Sequence, residues 1–366
     1  MSHIAAVCPA LPELTYTQEE ITAAIAPLLA AGSAPRRAAI ERTHAAAGVR
    51  TRHLVLPIER YGALGTFGEA NDTFVAAGTD LAERALRGAL AQAGLQPEDV
   101  DLILFTSVTG ISAPSIDALL VGRLGLRPDV KRVPVFGLGC VAGAAGIARV
   151  HDYLVGHPGD VAVLVSVELC SLTIQRDDSS MANVVSSGLF GDGATAVVMV
   201  GDARARSMRG LGPQVVATRS RLYPDSEGAL GWDIGGSGFR IVLSASLADL
   251  IEAHLADDVG DLLASRDLKV GDVPTWIAHT GGPRILEAAR RALDLPPDAL
   301  ELSWRSLERV GNLSSSSVLH VLADTIARGG QEAGSPGVLF AHGPGVCAEI
   351  VLLRWPDEPA GTKARG

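Results

Sequence analysis

The stretch VPVFGLGCVAGAAGIARV, residues 133–150, decides how this chain is read. An apolar run ends in Gly137-Leu138-Gly139, a lone Cys140 follows, and a segment of Ala and Gly comes next. A short apolar run bounded by glycine suits a buried strand. The segment after it has helical length, and its small side chains allow close approach to other backbone. Cys140 is therefore predicted at a tight strand-to-helix turn, beside the first free N–H groups of the helix. The partial positive charge of a helix N-terminus favours thiolate, which makes Cys140 a candidate nucleophile with a lowered pKa. The competing reading is a structural cysteine, since free Cys often acts as a small hydrophobe.

The chain has 366 residues, more than a usual single domain, so two domains or a duplicated core are expected. Hydrophobic residues make up 47% and aromatics only 4%, material for a large aliphatic core. The net charge of −10, without a basic block, argues against a nucleic-acid partner. Cys8, Cys140, Cys170 and Cys347 have no paired spacing, which speaks against a disulfide framework and a zinc site. The N-terminal MSHIAAVCPALPELTY lacks the pattern of a signal peptide. No apolar run reaches the length of a membrane span, so a cytoplasmic protein is expected.

Outward from Cys140, strands alternate with helices, the pattern of an α/β layer fold. Residues 16–33 read as an amphipathic helix with Thr17 as N-cap, and a helix over 71–94 ends at Gly94. DVDLILFTSVTG (99–110), DVAVLVSVELC (160–170) and the end of SGLFGDGATAVVMV (187–200) read as strands. After a connector at 201–212 the pattern begins again: a strand at QVVATRS, a helical region over 238–266, a strand in VPTWIAHTGG (273–282), helices at RILEAARRALDL and 313–328, and two strands around a Gly-Pro-Gly turn in 337–355. The tail PDEPAGTKARG is polar and expected to be loose. The window 36–53 carries Arg36, Arg37, Arg42, Arg50, Arg52 and His53, and reads equally as a solvated helix face or a polyphosphate site.

Two further motifs carry chemistry. His279 stands at the end of the strand in WIAHTGGPRILE (276–287), followed by glycines that leave its ring accessible, although a lone His there is more often a core residue. Asn312, in RVGNLSSSSVLHVL (309–322), would by itself be taken as a helix cap. Together, one thiol, one imidazole and one carboxamide at the mouths of secondary elements make a set in which His can hold Cys as thiolate, while His and Asn donate two hydrogen bonds to one oxyanion.

These residues, with GVRTRHLVLP, TSVTGISAPSID, SVELCSLT, LFGDGA, PDSEGALGW, GNLSSSSVL and GPGVCAEIVLLRW in order, resemble the type III polyketide synthases, the chalcone and stilbene synthase group, from about Gly48 to Trp355. The resemblance implies a thiolase-like five-layered αβαβα fold of two related halves. The half 1–208 would carry the nucleophilic Cys, and 209–366 the catalytic His and Asn. It further implies a homodimer that uses acyl-CoA and malonyl-CoA, with no acyl carrier protein, metal or other cofactor. Cys140 would carry the acyl chain, with His279 and Asn312 supporting decarboxylation and condensation. Phe190 would be the gatekeeper. Val108, Ala113, Cys170 and Thr173 would line the substrate chamber, together with Trp232, Ser314 and His342. Arg50 and Arg52 fall where family members meet CoA phosphates.

Departures from the family pattern bear on product. Plant chalcone synthases have Thr for Val108, Met for Ala113, Gly for Trp232 and Phe for His342. Naphthalene-forming bacterial members carry Cys at the Val108 position, which disfavours that activity here. Ala113 would open space near the dimer interface, and few aromatics leave little to stack on a planar starter. Both favour a fatty acyl-CoA starter extended to an alkylpyrone or alkylresorcinol, with Trp232 limiting the extensions. The rival readings are a β-ketoacyl-ACP synthase of the initiating type and a non-catalytic thiolase-fold acyl-binding subunit.

Overall fold

The longest apolar runs form the middle of a sheet. In the computed structural model, which describes residues 1–357, the strands in chain order are β1 Ser2–Ala10, β2 Leu14–Thr17, β3 Thr51–Leu54, β4 Leu102–Thr106, β5 Lys131–Val135, β6 Val161–Leu169, β7 Asp192–Gly201, β8 Gln214–Leu222, β9 Leu230–Gly235, β10 Gly238–Leu243, β11 Thr275–Ala278, β12 Pro336–Gly343 and β13 Cys347–Arg354. Nine of them build one mixed sheet in the order β11-β12-β13-β8-β1-β7-β6-β4-β5, while β2 pairs with β3 and β9 with β10. Of the tail expected to be loose, residues 358–366 lie outside the described residues. β6 and β7 are buried along their whole length, the mark of a sheet covered on both faces.

Successive side chains of a strand point to opposite faces, and this sorts the core into layers. Val163, Val165 and Val167 of β6 pack with Leu81, Ala85 and Leu86 of the helix Phe67–Ala93. Ala162 and Leu164 turn the other way, onto a central layer made by the helices Ala142–Gly156 and Ser317–Arg328. Ile277, Leu339 and Val351 of the second half join that same central core. Their neighbours Trp276, Phe340 and Ile350 turn outward, with Ile251 and Leu255 of the helix Leu247–Ala264 and Leu286 of Pro283–Ala292. The two wings of the sheet, β11-β12-β13-β8 and β1-β7-β6-β4-β5, join only through the short pairing of Ser2 and His3 with β8 and cover the central helices from either side, so the order is helix, sheet, helix, sheet, helix: five layers. Fully buried residues of the central layer such as Ile147, Leu154 and Leu164 each contribute roughly 1.5–3 kcal/mol of transfer free energy.

Several elements differ from expectation. The strand before Cys140 lies at the sheet edge, with Val133 40% and Phe136 49% exposed in the single chain, so the apolar run 133–136 is not core. The first helix begins at Gln18, after β2, under a capping box of Thr17 and Glu20. The region 238–266 divides into β10 and the helix Leu247–Ala264, because β9 and β10 pair across the Gly236-Ser237 turn. The helix expected from Leu313 starts at Ser317, after a 3-10 turn of three serines.

Candidate active site

Cys140 sits in a 3-10 turn, Gly139–Val141, directly before the helix Ala142–Gly156. Gly139 has φ +55°, and a Cβ there would lie 2.6 Å from Pro344 Cδ, so only glycine lets the turn approach the Gly343-Pro344-Gly345 loop. A Cβ on Gly143 would collide with the carbonyl oxygen of Ser315. The small residues of the opening motif thus bring the helix against the serine run, and Cys140 Sγ donates to Ser314 Oγ at 3.7 Å.

Asn312 is placed by backbone: its N–H donates to Leu189 O at 2.9 Å, and Gly191 N–H donates to Asn312 O at 2.9 Å. Its side-chain oxygen accepts from Ser314 N–H at 2.8 Å and Ser317 Oγ at 3.2 Å. A backbone N–H can only donate, so the atom facing it is the amide oxygen, and the NH2 is the end left to donate elsewhere. Asn312 is therefore a cap through its oxygen, which leaves its NH2 as the end available to donate.

His279 continues β11, with its N–H on Phe340 O at 3.0 Å, and the next residue, Thr280, donates through Oγ1 to Gly311 O at 3.5 Å. Through β12 and the Gly-Pro-Gly loop on one side and Gly311 on the other, the histidine, cysteine and asparagine segments meet. His279 is buried, its Nδ1 has no partner among the described residues, and burial followed by the neighbouring His342 pushes it down to about 3. At neutral pH the ring is therefore neutral, with one N–H available to donate.

The expected lowering of the Cys140 pKa meets an opposing force. Burial pushes the thiol up to about 12, with the Ser314 hydrogen bond and the helix N-terminus pulling the other way. Burial raises Cys8, Cys170 and Cys347 as well, so acidity does not single out Cys140; its place in the site does. Cys140 keeps part of its surface accessible.

One residue escaped sequence reasoning. Glu168, the single acid in the apolar run of β6, is fully buried. It accepts from Val108 N–H at 3.2 Å, Thr109 Oγ1 at 2.9 Å, Ser314 Oγ at 3.1 Å and the Ser315 hydroxyl. The signal was present as a charge inside a buried strand, a position that charged groups occupy only with partners. Glu168 fixes Val108 and the hydroxyl that Cys140 faces, and burial raises its carboxyl.

The other expected chamber residues divide into groups. Phe190, Cys170 and Thr173 share a small cavity of about 40 Å³, with Ser171 and Tyr61. Val108 packs beside the Cys140 turn, and Trp232 lies 5.9 Å from Phe239, ring to ring. His342 is buried on β12 and is pushed down to about 4 by that burial. Ala113 is exposed on the chain surface. Arg50 is exposed and pairs with Glu308 at 3.1 Å. Arg52 departs from the expected phosphate contact: it is 2% exposed, and its Nη1 and Nη2 donate to Ser187 O, Phe190 O and Gln18 Oε1, with Nε unpartnered among the described residues.

Burial also holds His44 and His320 down at about 4 each. With His279, His342 and His151, which burial also lowers, five imidazoles titrate below their ordinary 6.5. The unfolded chain binds these protons first, so the stability they contribute is present above pH 6.5 and lost as pH falls through 4. Asp192, raised to about 6, Glu168 and Glu349 act in the opposite direction, and the histidines outnumber them. Stability is expected to fall by on the order of 2 kcal/mol per pH unit between pH 6.5 and 4.5. Thermal melts across that range check it, and a flat or rising Tm would refute the balance.

Comparison with known proteins places the site in context. Residues 1–203 match the family model of chalcone and stilbene synthases, N-terminal domain, and residues 214–355 match the C-terminal domain. A 1,3,6,8-tetrahydroxynaphthalene synthase of Streptomyces peucetius subsp. caesius is 57% identical over 353 residues, covering 96% of this chain and 93% of that protein. An alpha-pyrone synthesis polyketide synthase-like Pks18 of Mycobacterium tuberculosis (strain H37Rv) is 33% identical, covering 75% of this chain and 69% of that one. The crystal structure of the tetrahydroxynaphthalene synthase from Streptomyces coelicolor A3(2) superimposes with a TM-score of 0.90 at 31% identity, covering 97% of this chain and 99% of that one. The thiolase-like α/β fold is shared.

Proposed function

The chain belongs to the chalcone and stilbene synthase family, and from that premise we propose that it is a malonyl-primed type III polyketide synthase whose product is a polyhydroxylated aromatic. As a member it is an acyltransferase acting on CoA thioesters without a carrier protein. The carrier-protein-dependent and non-catalytic readings give way to that membership.

In this reading the Cys140 proton goes to His279, the starter acyl group passes to Cys140 Sγ, and His279 hands the proton to the departing sulfur so that CoA leaves as thiol. A malonyl-CoA then loses CO2, and the negative charge on its thioester oxygen meets the Asn312 NH2 and the His279 N–H. The enolate carbon attacks the Cys140 thioester, the cysteine sulfur leaves, and the lengthened chain on CoA returns to Cys140 for the next round. Phe190 stands at the gate. Arg50 is the candidate for a CoA phosphate, on the condition that Glu308 yields it.

The aromatic cluster around Phe239 carries the choice of substrate. In a chain with so few aromatics, Phe67, Phe136 and Trp232 converge on this one ring at 5.4, 6.3 and 5.9 Å. Phe67 and Phe239 also bound a cavity of about 300 Å³ lined by Thr109, Asn71 and Gln175. Ring faces beside polar groups suit a short, oxygen-rich chain that closes into planar rings. The roughly 40 Å³ beside Phe190 and Cys170 has room for a water or two and none for an alkyl tail. The relative from Streptomyces peucetius, named for tetrahydroxynaphthalene, supports the same class, while Val108 stands against it.

The second reading, a fatty acyl starter giving an alkylpyrone or alkylresorcinol, is favoured by the methyl-sized Ala113 and by the α-pyrone relative. Ala113 is exposed on the single chain, so a channel there needs the second copy of a homodimer, for which the apolar Ile111, Val133 and Phe136 at the exposed edge are the natural seam. Incubation with malonyl-CoA alone, followed by mass spectrometry, separates the readings. An aromatic product made without added starter is expected. Product appearing only with a long-chain acyl-CoA would overturn the proposal in favour of the second reading.

A further inference from the structure

Arg52 is a buried cation committed to backbone. Its Nη1 donates to Ser187 O at 2.8 Å and to Phe190 O at 2.7 Å, the last carbonyls of the segment that ends in the gate. Its Nη2 donates to Gln18 Oε1 at 2.9 Å, and Gln18 Nε2 in turn donates to Gly188 O at 2.7 Å and His44 O at 3.0 Å. His44 Nε2 meets Ser187 Oγ at 3.0 Å. The carbonyls at a helix C-terminus lack partners within the helix, and here a guanidinium fork supplies them.

The same backbone is tied on its other side to the enolate donor. Phe190 and Asn312 form a parallel bridge, through Asn312 N–H to Leu189 O and Gly191 N–H to Asn312 O. Gly311, at φ +74°, is pressed so closely that a Cβ there would lie 3.2 Å from Arg52 Cγ and Cδ and 2.6 Å from Leu189 O. The Arg52 stem therefore packs on the residue before Asn312 while its head holds the gate.

We infer that Arg52 is a positioning residue for the reaction, fixing the paired backbone of Phe190 and Asn312 so that gate and enolate donor keep one geometry. The inference rests on the roles given to Phe190 and Asn312 above. A planar fork reaches two carbonyls and the Gln18 oxygen at once, which a lysine ammonium does not reproduce in this geometry. A 1 Å misplacement of a donor is enough to lower a rate by about a hundredfold.

Malonyl-CoA decarboxylation, measured in a Cys140→Ala background, isolates the donor from acyl transfer. Arg52→Lys and Arg52→Gln are compared there with Leu86→Ala, a substitution in the outer core away from the site, as a stability reference. The Arg52 variants are expected to lower kcat at least tenfold with KM for malonyl-CoA within about twofold, at temperatures where circular dichroism shows them folded. Leu86→Ala is expected to keep kcat despite an equal or larger loss of Tm. Gln18→Leu, which loosens Arg52 without removing the cation, should lower kcat about threefold, and it decides the question if neither Arg52 variant folds. Decarboxylation that follows Tm alike in all variants would overturn the inference. Asn312→Asp with normal decarboxylation would instead remove the donor reading beneath it, a separate outcome.

Discussion

Asn312→Asp is expected to reduce malonyl-CoA decarboxylation by about a hundredfold or more while the chain stays folded. Removing one preorganised oxyanion donor typically lowers the rate by that factor. The particular substitution follows from the two ends of the carboxamide. Its oxygen accepts from Ser314 N–H and Ser317 Oγ, and an aspartate keeps that acceptor. The NH2 end becomes an oxygen, which donates nothing to an enolate and repels it when ionised. Asn312→Ala should lose the same activity and, in addition, the acceptor that closes the serine turn, a further loss of about 1 kcal/mol in stability. Release of CO2 from labelled malonyl-CoA, read beside a thermal melt, separates the two functions. An aspartate variant that decarboxylates at the native rate would reduce Asn312 to a cap.

Cys140→Ala is expected to abolish product altogether and to leave decarboxylation measurable. Loss of CO2 needs only the donors that meet the thioester oxygen, whereas carbon–carbon bond formation needs an acyl group held on sulfur. The alanine removes one atom from a turn whose shape is set by Gly139 and Pro344, so the fold should be unaffected. Mass spectrometry of native protein incubated with substrate should find an acyl adduct on the peptide containing Cys140, and none in the variant. Product formation by Cys140→Ala would mean that the chain grows on another group.

Much of this was legible in the sequence because it depends on local rules. The glycines around Cys140 require a tight turn whatever lies beyond them, and Thr17 with Glu20 three residues on marks a helix that starts at Gln18. The Cys, His and Asn set could be named from residue types and their places at element ends. What sequence left hidden depends on distant neighbours. Arg52 reads as a phosphate ligand until Ser187 and Phe190, over a hundred residues away, are seen to occupy it. Glu168 gains its meaning from Val108 and Thr109 on one segment and Ser314 on another. The thiol of Cys140 looked activated because the helix N-terminus is a local feature, whereas the desolvation that opposes it comes from the whole central layer. The run 133–136 reads as core because composition does not reveal which strand closes a sheet.

The place of β1 in the middle of the sheet has a consequence for synthesis. Residues 2–10 leave the ribosome well before their partners, which are β7, ending at Gly201, and the start of β8. Until those later segments have been translated, this strand has neither neighbour, and both of its edges are open to pairing with other chains. Folding of the first half therefore waits on the completion of β7 and proceeds through contacts far apart in the chain, a slow class of assembly. Expression at lower temperature, which weakens apolar association of the unpaired strand, should raise the yield of native protein.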